Sequence, residues 1–259
     1  MDIKLRELRT EDKEQYISLQ REYWVNKRAL NEEEMQNGLW KDLQEEKRIN
    51  FVIAMPGDKF CGFCGAKDRY SDMPEIEIEI FEKFTGQGIG YQAIRDLLKE
   101  LKKQTGKTCY LTRVISDNYP SIKLMQKCGA VPYKVESHIL LTENEAEDFV
   151  KQHANLISEE TVQLAEIFGV RKEQVLSGVL CFRIDLGDMA QEKFSFKWEK
   201  VDTFKRRMDR EIMLYSMKSQ LARIQEIAEA ADAERTQELK EMLIEYRDEL
   251  YDKLKKVNE

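Results

Sequence analysis

Three glutamates at alternate positions, Glu75, Glu77 and Glu79, place a row of carboxylates on one side of an extended segment, where each can accept a proton. Ile76, Ile78 and Ile80 stand between them, which is the period of a strand with one apolar face. Shortly afterwards Gly86, Gly88 and Gly90 lead straight into the helical pattern of Gln92 to Lys103. Strand, glycine loop and helix in that order form a nest of backbone N–H groups at a helix N-terminus, which suits a phosphate. Proton-accepting carboxylates thus lie next to a phosphate cradle.

The glycine loop alone does not choose a nucleotide. The dinucleotide pattern G-x-G-x-x-G fails because Tyr91 and Gln92 follow Gly90, and no G-K-[ST] completes a P-loop. Cys61-Gly62-Phe63-Cys64 matches the redox C-x-x-C spacing, yet it sits in a strand-like run with no helix after it. Without a second C-x-x-C or a nearby histidine it makes no zinc site, so these cysteines read as small core residues. An odd number of cysteines, five, fits reduced thiols. A net charge of −7 argues against a nucleic-acid surface spread over the whole protein. The chain has no run of about 20 apolar residues and no apolar leader at its first residues, so the expectation is a cytoplasmic protein with no membrane partner.

Elements that position the loop follow from periodicity. Strands are expected at Ile3 to Arg9, Ile49 to Met55, Phe60 to Lys67, Glu75 to Ile80, Thr108 to Ile115, Val131 to Leu141 and Val179 to Leu186. Helices are expected from Thr10 through Tyr23, from Asn31 to Glu46, after the loop, and from Ser121 to Lys127 behind Pro120. Residues 143–177 read as a helical insertion with turns at Asn155 to Ser158 and at Gly169. A linker is expected over 188–199. Beyond it, over 200–259, apolar residues recur at helical steps from Phe204 to Ala228 and again from Leu239 to Val257, an expected helical hairpin for dimerisation or a partner. The fold class is α/β (α+β), a mixed central sheet flanked by helices.

Several pieces together resemble the GNAT superfamily of acetyl-CoA-dependent N-acetyltransferases. Ile3 to Asp12 is similar to the family's opening strand and first helix start, Thr85 to Gly90 to its pyrophosphate loop, Asn118 to Gly129 to its second cofactor segment, and Val179 to Leu186 to its closing strand. The resemblance covers residues 1–187 and leans to the branch of ribosomal-protein alanine and spermidine acetyltransferases. It implies a mostly antiparallel sheet, acetyl-CoA as cofactor, and direct attack of a primary amine on the thioester. The acceptor stays open between a small polyamine or aminoglycoside-like amine and a protein amine.

The resemblance also implies site residues. Backbone N–H groups of Gln87, Gly88, Ile89, Gly90 and Tyr91 would hold the pyrophosphate, Asn118 and Ser121 would contact the cofactor, and Ile80 would offer a backbone N–H to the oxyanion. An amine of pKa about 10 is protonated at pH 7, so a base is needed. Glu75 fits best by resemblance and Glu77 comes second. Two positions depart from the family: Thr85 where Gln or Arg is usual, and Met125 where many members place a tyrosine proton donor. A thiolate leaves without much help, so Tyr119 or a water suffices there. Two other readings compete. Residues 161–175 match a helix-turn-helix spacing, which would make a DNA-binding regulator, and the chain would also serve as a non-catalytic acyl-CoA module with a partner-binding tail.

Overall fold

Alternation along seven segments builds one sheet: β1 (Lys4–Glu7), β2 (Ile49–Met55), β3 (Lys59–Lys67), β4 (Glu75–Ile80), β5 (Cys109–Ile115), β6 (Val131–Ser137) and β7 (Gly178–Asp185). Their order is β1-β2-β3-β4-β5-β7-β6. The computed structural model describes residues 2–22, 29–187, 191–200, 206–230 and 241–248. All neighbours are antiparallel except β4 and β5, which are parallel and share a single register pair, Glu75 with Leu111. Past that pair the two strands part. The expected mixed, mostly antiparallel sheet is what forms.

Helices cover both faces. On one side lie α1 (Lys13–Gln20), entered through a 3-10 turn at Thr10–Asp12, and α2 (Glu33–Leu43); the helix expected through Tyr23 stops at Gln20, with Arg21 and Glu22 in a turn, and Tyr23 itself lies outside the described residues. Tyr16 of α1 meets Phe63 of β3 edge-on at 5.1 Å, so this is the face that carries Phe63. Phe63 pairs with Glu79 across β3 and β4, which puts the glutamate row on the α1 side. The isoleucines of β4 face the other way, toward α3 (Ile89–Thr105), whose Gly90 lies beside the Ile80 side chain. Helix α3 buries Ile89, Ala93, Ile94, Leu97, Leu98 and Leu101 in the core and ends on Gly106 at φ 72°.

After β5 comes α4 (Tyr119–Lys127), with Pro120 in its first turn. Strand β6 ends at Ser137 rather than Leu141, because its partner β7 begins at Gly178 opposite Ser137 and the chain then turns on His138. The insertion is helical as expected: α5 (Glu143–Gln152), α6 (Glu159–Phe168) and α7 (Lys172–Leu176). Thr142 and Ser158 cap α5 and α6, and Gly169 at φ 64° closes α6.

Within the expected linker, 188–199, the described residues 191–199 pack on the domain. Phe196 is 1% exposed within the main core, held against α4. Beyond them runs α8 (Met208–Ala230), which rests on α5: Tyr215 donates to Asp148 at 2.9 Å and Ser219 to Glu145 at 2.6 Å. Residues 241–248 are helical, and Leu243, like Met213, packs against the cluster of Leu214, Met217, Leu221 and Ile224. The expected bend from Ala230 to Arg235 and most of the second tail helix lie outside the described residues.

Candidate active site

The parting of β4 from β5 opens the sheet at its centre. Leu111 N–H donates to Pro74 O at 3.0 Å, and Phe81 N–H donates to Cys61 O on the opposite side. Strand alternation then directs the Ile78 and Ile80 amides toward β5, where the ladder has ended. Ile80 therefore brings a backbone donor to the splay.

The three glutamates meet different surroundings. Glu75 receives Lys67 at 3.3 Å and the Arg113 guanidinium. Glu77 receives the Arg48 guanidinium and Lys67 at 3.4 Å. Arg113 also holds Glu136 at 2.8 Å, and together with Lys134 it keeps that carboxyl down at about 2. Glu79 has no cation within ion-pair distance among the described residues; its carboxylate accepts from the Gln20 side chain of α1. Burial pushes the Glu79 carboxyl up to about 7, opposed by the Gln20 bond and by the more distant Lys67, Arg206 and Arg48. The Tyr16 phenol nearby is pushed far up, first by burial and then by Glu79. A carboxyl near neutrality can both take up and release a proton around pH 7, which its paired neighbours do not offer.

At the far end of β4 the glycine loop delivers α3. Gly86 and Gly88 take φ of 75° and 82°, conformations open to glycine without strain. No side chain caps α3, and a Cβ on Gly88 would meet nothing within 4 Å. The first-turn amides of a helix have no partner within it, so the loop presents bare backbone donors on an open surface. That is a cradle a diphosphate fits. Gln87 and Gly88 are exposed and Ile89 is buried, with Gly90 and Tyr91 between these extremes. Two loop side chains turn back: Thr85 Oγ1 donates to Glu82 O at 2.8 Å and Gln87 Nε2 to Lys83 O at 3.0 Å.

Helix α4 completes the far wall. Asn118 stands at its N-cap without a capping side-chain bond, and Ser121 is partly exposed in the first turn. Leu124 lies against Gly90, so the first turn of α3 packs on the middle of α4. Tyr119 is buried, its hydroxyl 3.3 Å from Ser158 Oγ and its ring between Phe196 and Trp198. That hydroxyl is engaged with the insertion. Met125 is buried at 2%.

Sequence reasoning named the loop, Ile80 and the row of glutamates, but not Gln20, Arg48, Lys67 or Arg113, which make the three carboxylates unlike. One signal was available for Gln20: a polar residue next to Leu19 on the buried side of α1. Cys61 and Cys64 are free and buried, with both thiols pushed up by burial, so neither is a redox nucleophile. The helix-turn-helix reading does not survive: α7 has five residues and buries Val175 and Leu176, leaving no recognition helix to enter a groove.

Known proteins place this geometry. No match was found among the curated proteins. Among solved structures, a chimera of the Vibrio cholerae spermidine N-acetyltransferase SpeG and hSSAT aligns with a TM-score of 0.51 at 14% identity, covering 72% of this chain and 97% of its own. A second chimera of the same pair aligns at 0.50 and 15%, with the same coverage of both chains. At such identities the likeness establishes the fold. Residues 2–131, half of the chain, match the family model described as an acetyltransferase (GNAT) domain, and they contain the splayed strand, the glycine loop and α4. The chain belongs to the GNAT acetyltransferase family.

Proposed function

We propose that the chain transfers an acetyl group from acetyl-CoA to a primary amine, with Glu79 as the base. The reading is carried by one observation: a carboxyl held near neutrality lies on the strand whose end meets both the splay and the phosphate cradle. Bound acetyl-CoA supplies an activated acyl thioester. Backbone amides from Gln87 to Tyr91 would take its diphosphate, with Asn118 and Ser121 as further polar contacts from α4. Glu79 accepts the ammonium proton of the acceptor at a carboxylate oxygen, directly or through water. Gln20 holds that carboxylate in place. The Ile80 N–H, directed into the splay, is the donor for negative charge that develops on the acyl oxygen. A thiol of pKa about 8.5 leaves without a dedicated acid, so Met125 is no obstacle.

Glu75 and Glu77 serve this reading as structural partners. Lys67, Arg48 and Arg113 balance their charge, so the row offers no surplus negative potential for a polycation. An acceptor that brings one amine to Glu79 suits the site better than a polyamine such as the spermidine named for the similar structures. Five free cysteines agree with a reducing, cytoplasmic setting. The exposed apolar side chains of the tail, Ile227, Met242, Ile244 and Tyr246, support a role in self-association or partner binding.

The test is release of free thiol from acetyl-CoA with a panel of polyamines, aminoglycosides, amino acids and peptide N-termini. Turnover with at least one amine is expected. If no amine raises thiol release above the rate with water alone, the non-catalytic acyl-CoA module is the better description.

A further inference from the structure

The glycine loop has the shape for a diphosphate but not the charge. No lysine or arginine occurs from Thr85 to Gln92. The side chains of Thr85 and Gln87 are spent on the loop's own carbonyls. The ammonium of Lys83 lies over the rings of Phe81 and Phe84, at 4.8 and 5.3 Å from their centroids.

A cation arrives from elsewhere in the chain. Lys200 Nζ stands 3.6 Å from where a Cβ on Gly86 would be, and apart from Gly86 and its chain neighbours no other atom of the described residues comes within 4 Å of that point. Lys200 has no ion pair among the described residues and is exposed. Its approach is fixed by the segment that carries it. Phe196 N–H donates to Gln126 at 3.1 Å and Lys123 donates to Phe196 O at 2.6 Å. Gln126 in turn donates to Glu192, and Gln163 and Lys197 exchange bonds of 2.8 and 3.2 Å. Phe196 and Trp198 flank Tyr119. This arm lies beyond residues 2–131, so the cation is an addition to the domain that the family model describes.

We propose that Lys200 is a binding residue for the diphosphate of coenzyme A, supplying from the C-terminal arm the positive charge that the glycine loop lacks. An ammonium beside backbone donors adds a charge-assisted bond to an anion those donors already orient. The inference rests on the loop being a coenzyme A site, as proposed above.

Calorimetric titration of coenzyme A and of 3′-dephospho-coenzyme A into the full chain separates the two ideas without any turnover. Lys200→Gln is expected to weaken both ligands by roughly five- to twentyfold, and Lys200→Glu by more. Lys197→Gln, an exposed lysine on the same arm, is expected to leave both within twofold. Wild-type binding that both Lys200 variants leave within twofold overturns the inference alone. A loss confined to coenzyme A, with the dephospho form unchanged, assigns Lys200 to the 3′-phosphate and overturns the diphosphate assignment. A wild-type chain that binds neither ligand overturns the nucleotide reading of the loop, and this inference with it. Thermal unfolding within about 1 °C of wild type shows that the exposed substitutions leave the fold intact.

Discussion

Replacing Glu79 by Gln removes one ionisable group and keeps the volume and an oxygen for Gln20 to donate to. The folded chain holds the Glu79 proton with a pKa of about 7 against 4.5 for a free carboxyl. At 1.36 kcal/mol per pH unit, that interval amounts to about 3 kcal/mol. Partial solvent access cuts the figure to about 1–2 kcal/mol. The sign follows from the direction: a carboxyl whose folded pKa is raised favours the folded state below pH 4.5, and this advantage is lost as pH rises through 7. Glu79→Gln has no charge to bury, so relative to wild type it is more stable at pH 8 than at pH 4. For a domain of this size the gain is about 3–6 °C in Tm. Activity moves the opposite way. In wild type kcat/KM rises about tenfold per pH unit below an apparent pKa near 7, and Glu79→Gln flattens that limb and lowers the rate at pH 8 by roughly 10²–10⁴. Thiol release measured from pH 5.5 to 9 reads the rate, and thermal unfolding at pH 5 and 8 reads the stability. A variant that keeps activity within threefold and shows the same acid limb refutes the assignment of the base.

Three further outcomes follow from the same geometry. Glu77→Gln leaves the Arg48 guanidinium, whose side chain is 15% exposed, without its carboxylate; a loss of about 1–3 kcal/mol in urea unfolding is expected, with activity lowered less than tenfold. A thousandfold fall in activity for that variant would instead make Glu77 the base. Gly88→Ala forces a side-chain residue to φ 82° and costs about 1 kcal/mol in thermal unfolding, while weakening coenzyme A in the calorimeter. Asp117→Ala removes the acceptor of the Arg207 and Met208 amides at the start of α8, lowering stability by about 1–2 kcal/mol; an unchanged unfolding midpoint would show that this cap carries no weight.

The parts legible in the sequence are those set by local rules. The alternation of Glu75 to Ile80 made a strand wherever it was placed, and Gly86, Gly88 and Gly90 demanded a turn before a helix. Helix α3 begins at Ile89, earlier than the apolar periodicity alone indicates, because glycine-cradled first turns carry no periodic signal. The differences among Glu75, Glu77 and Glu79 were not legible. The sequence places them on one face, and only folding brings Arg48, Lys67 and Arg113 to two of them and Gln20 to the third. The splay was equally hidden, since a strand alternates in the same way whether its neighbour stays paired or departs.

The two additions to the domain, the insertion and the tail, make sense only together. Helix α8 lies on α5 through Tyr215, Ser219 and Phe149, and its N-terminus is capped by Asp117 from the end of β5, the strand that borders the splay. Between α8 and β7 the arm crosses α4, buries Phe196, and sets Lys200 beside Gly86. A tail evolved only for association has no reason to run over α4 and end a lysine at the phosphate loop. Asp117 thus holds the first amides of α8 just past the end of β5, and α5 holds the helix further along through Asp148 and Glu145. Ser219→Ala, which removes the donor to Glu145 at the α5–α8 contact, is therefore expected to lower the thermal unfolding midpoint while leaving the pH profile set by Glu79 unchanged.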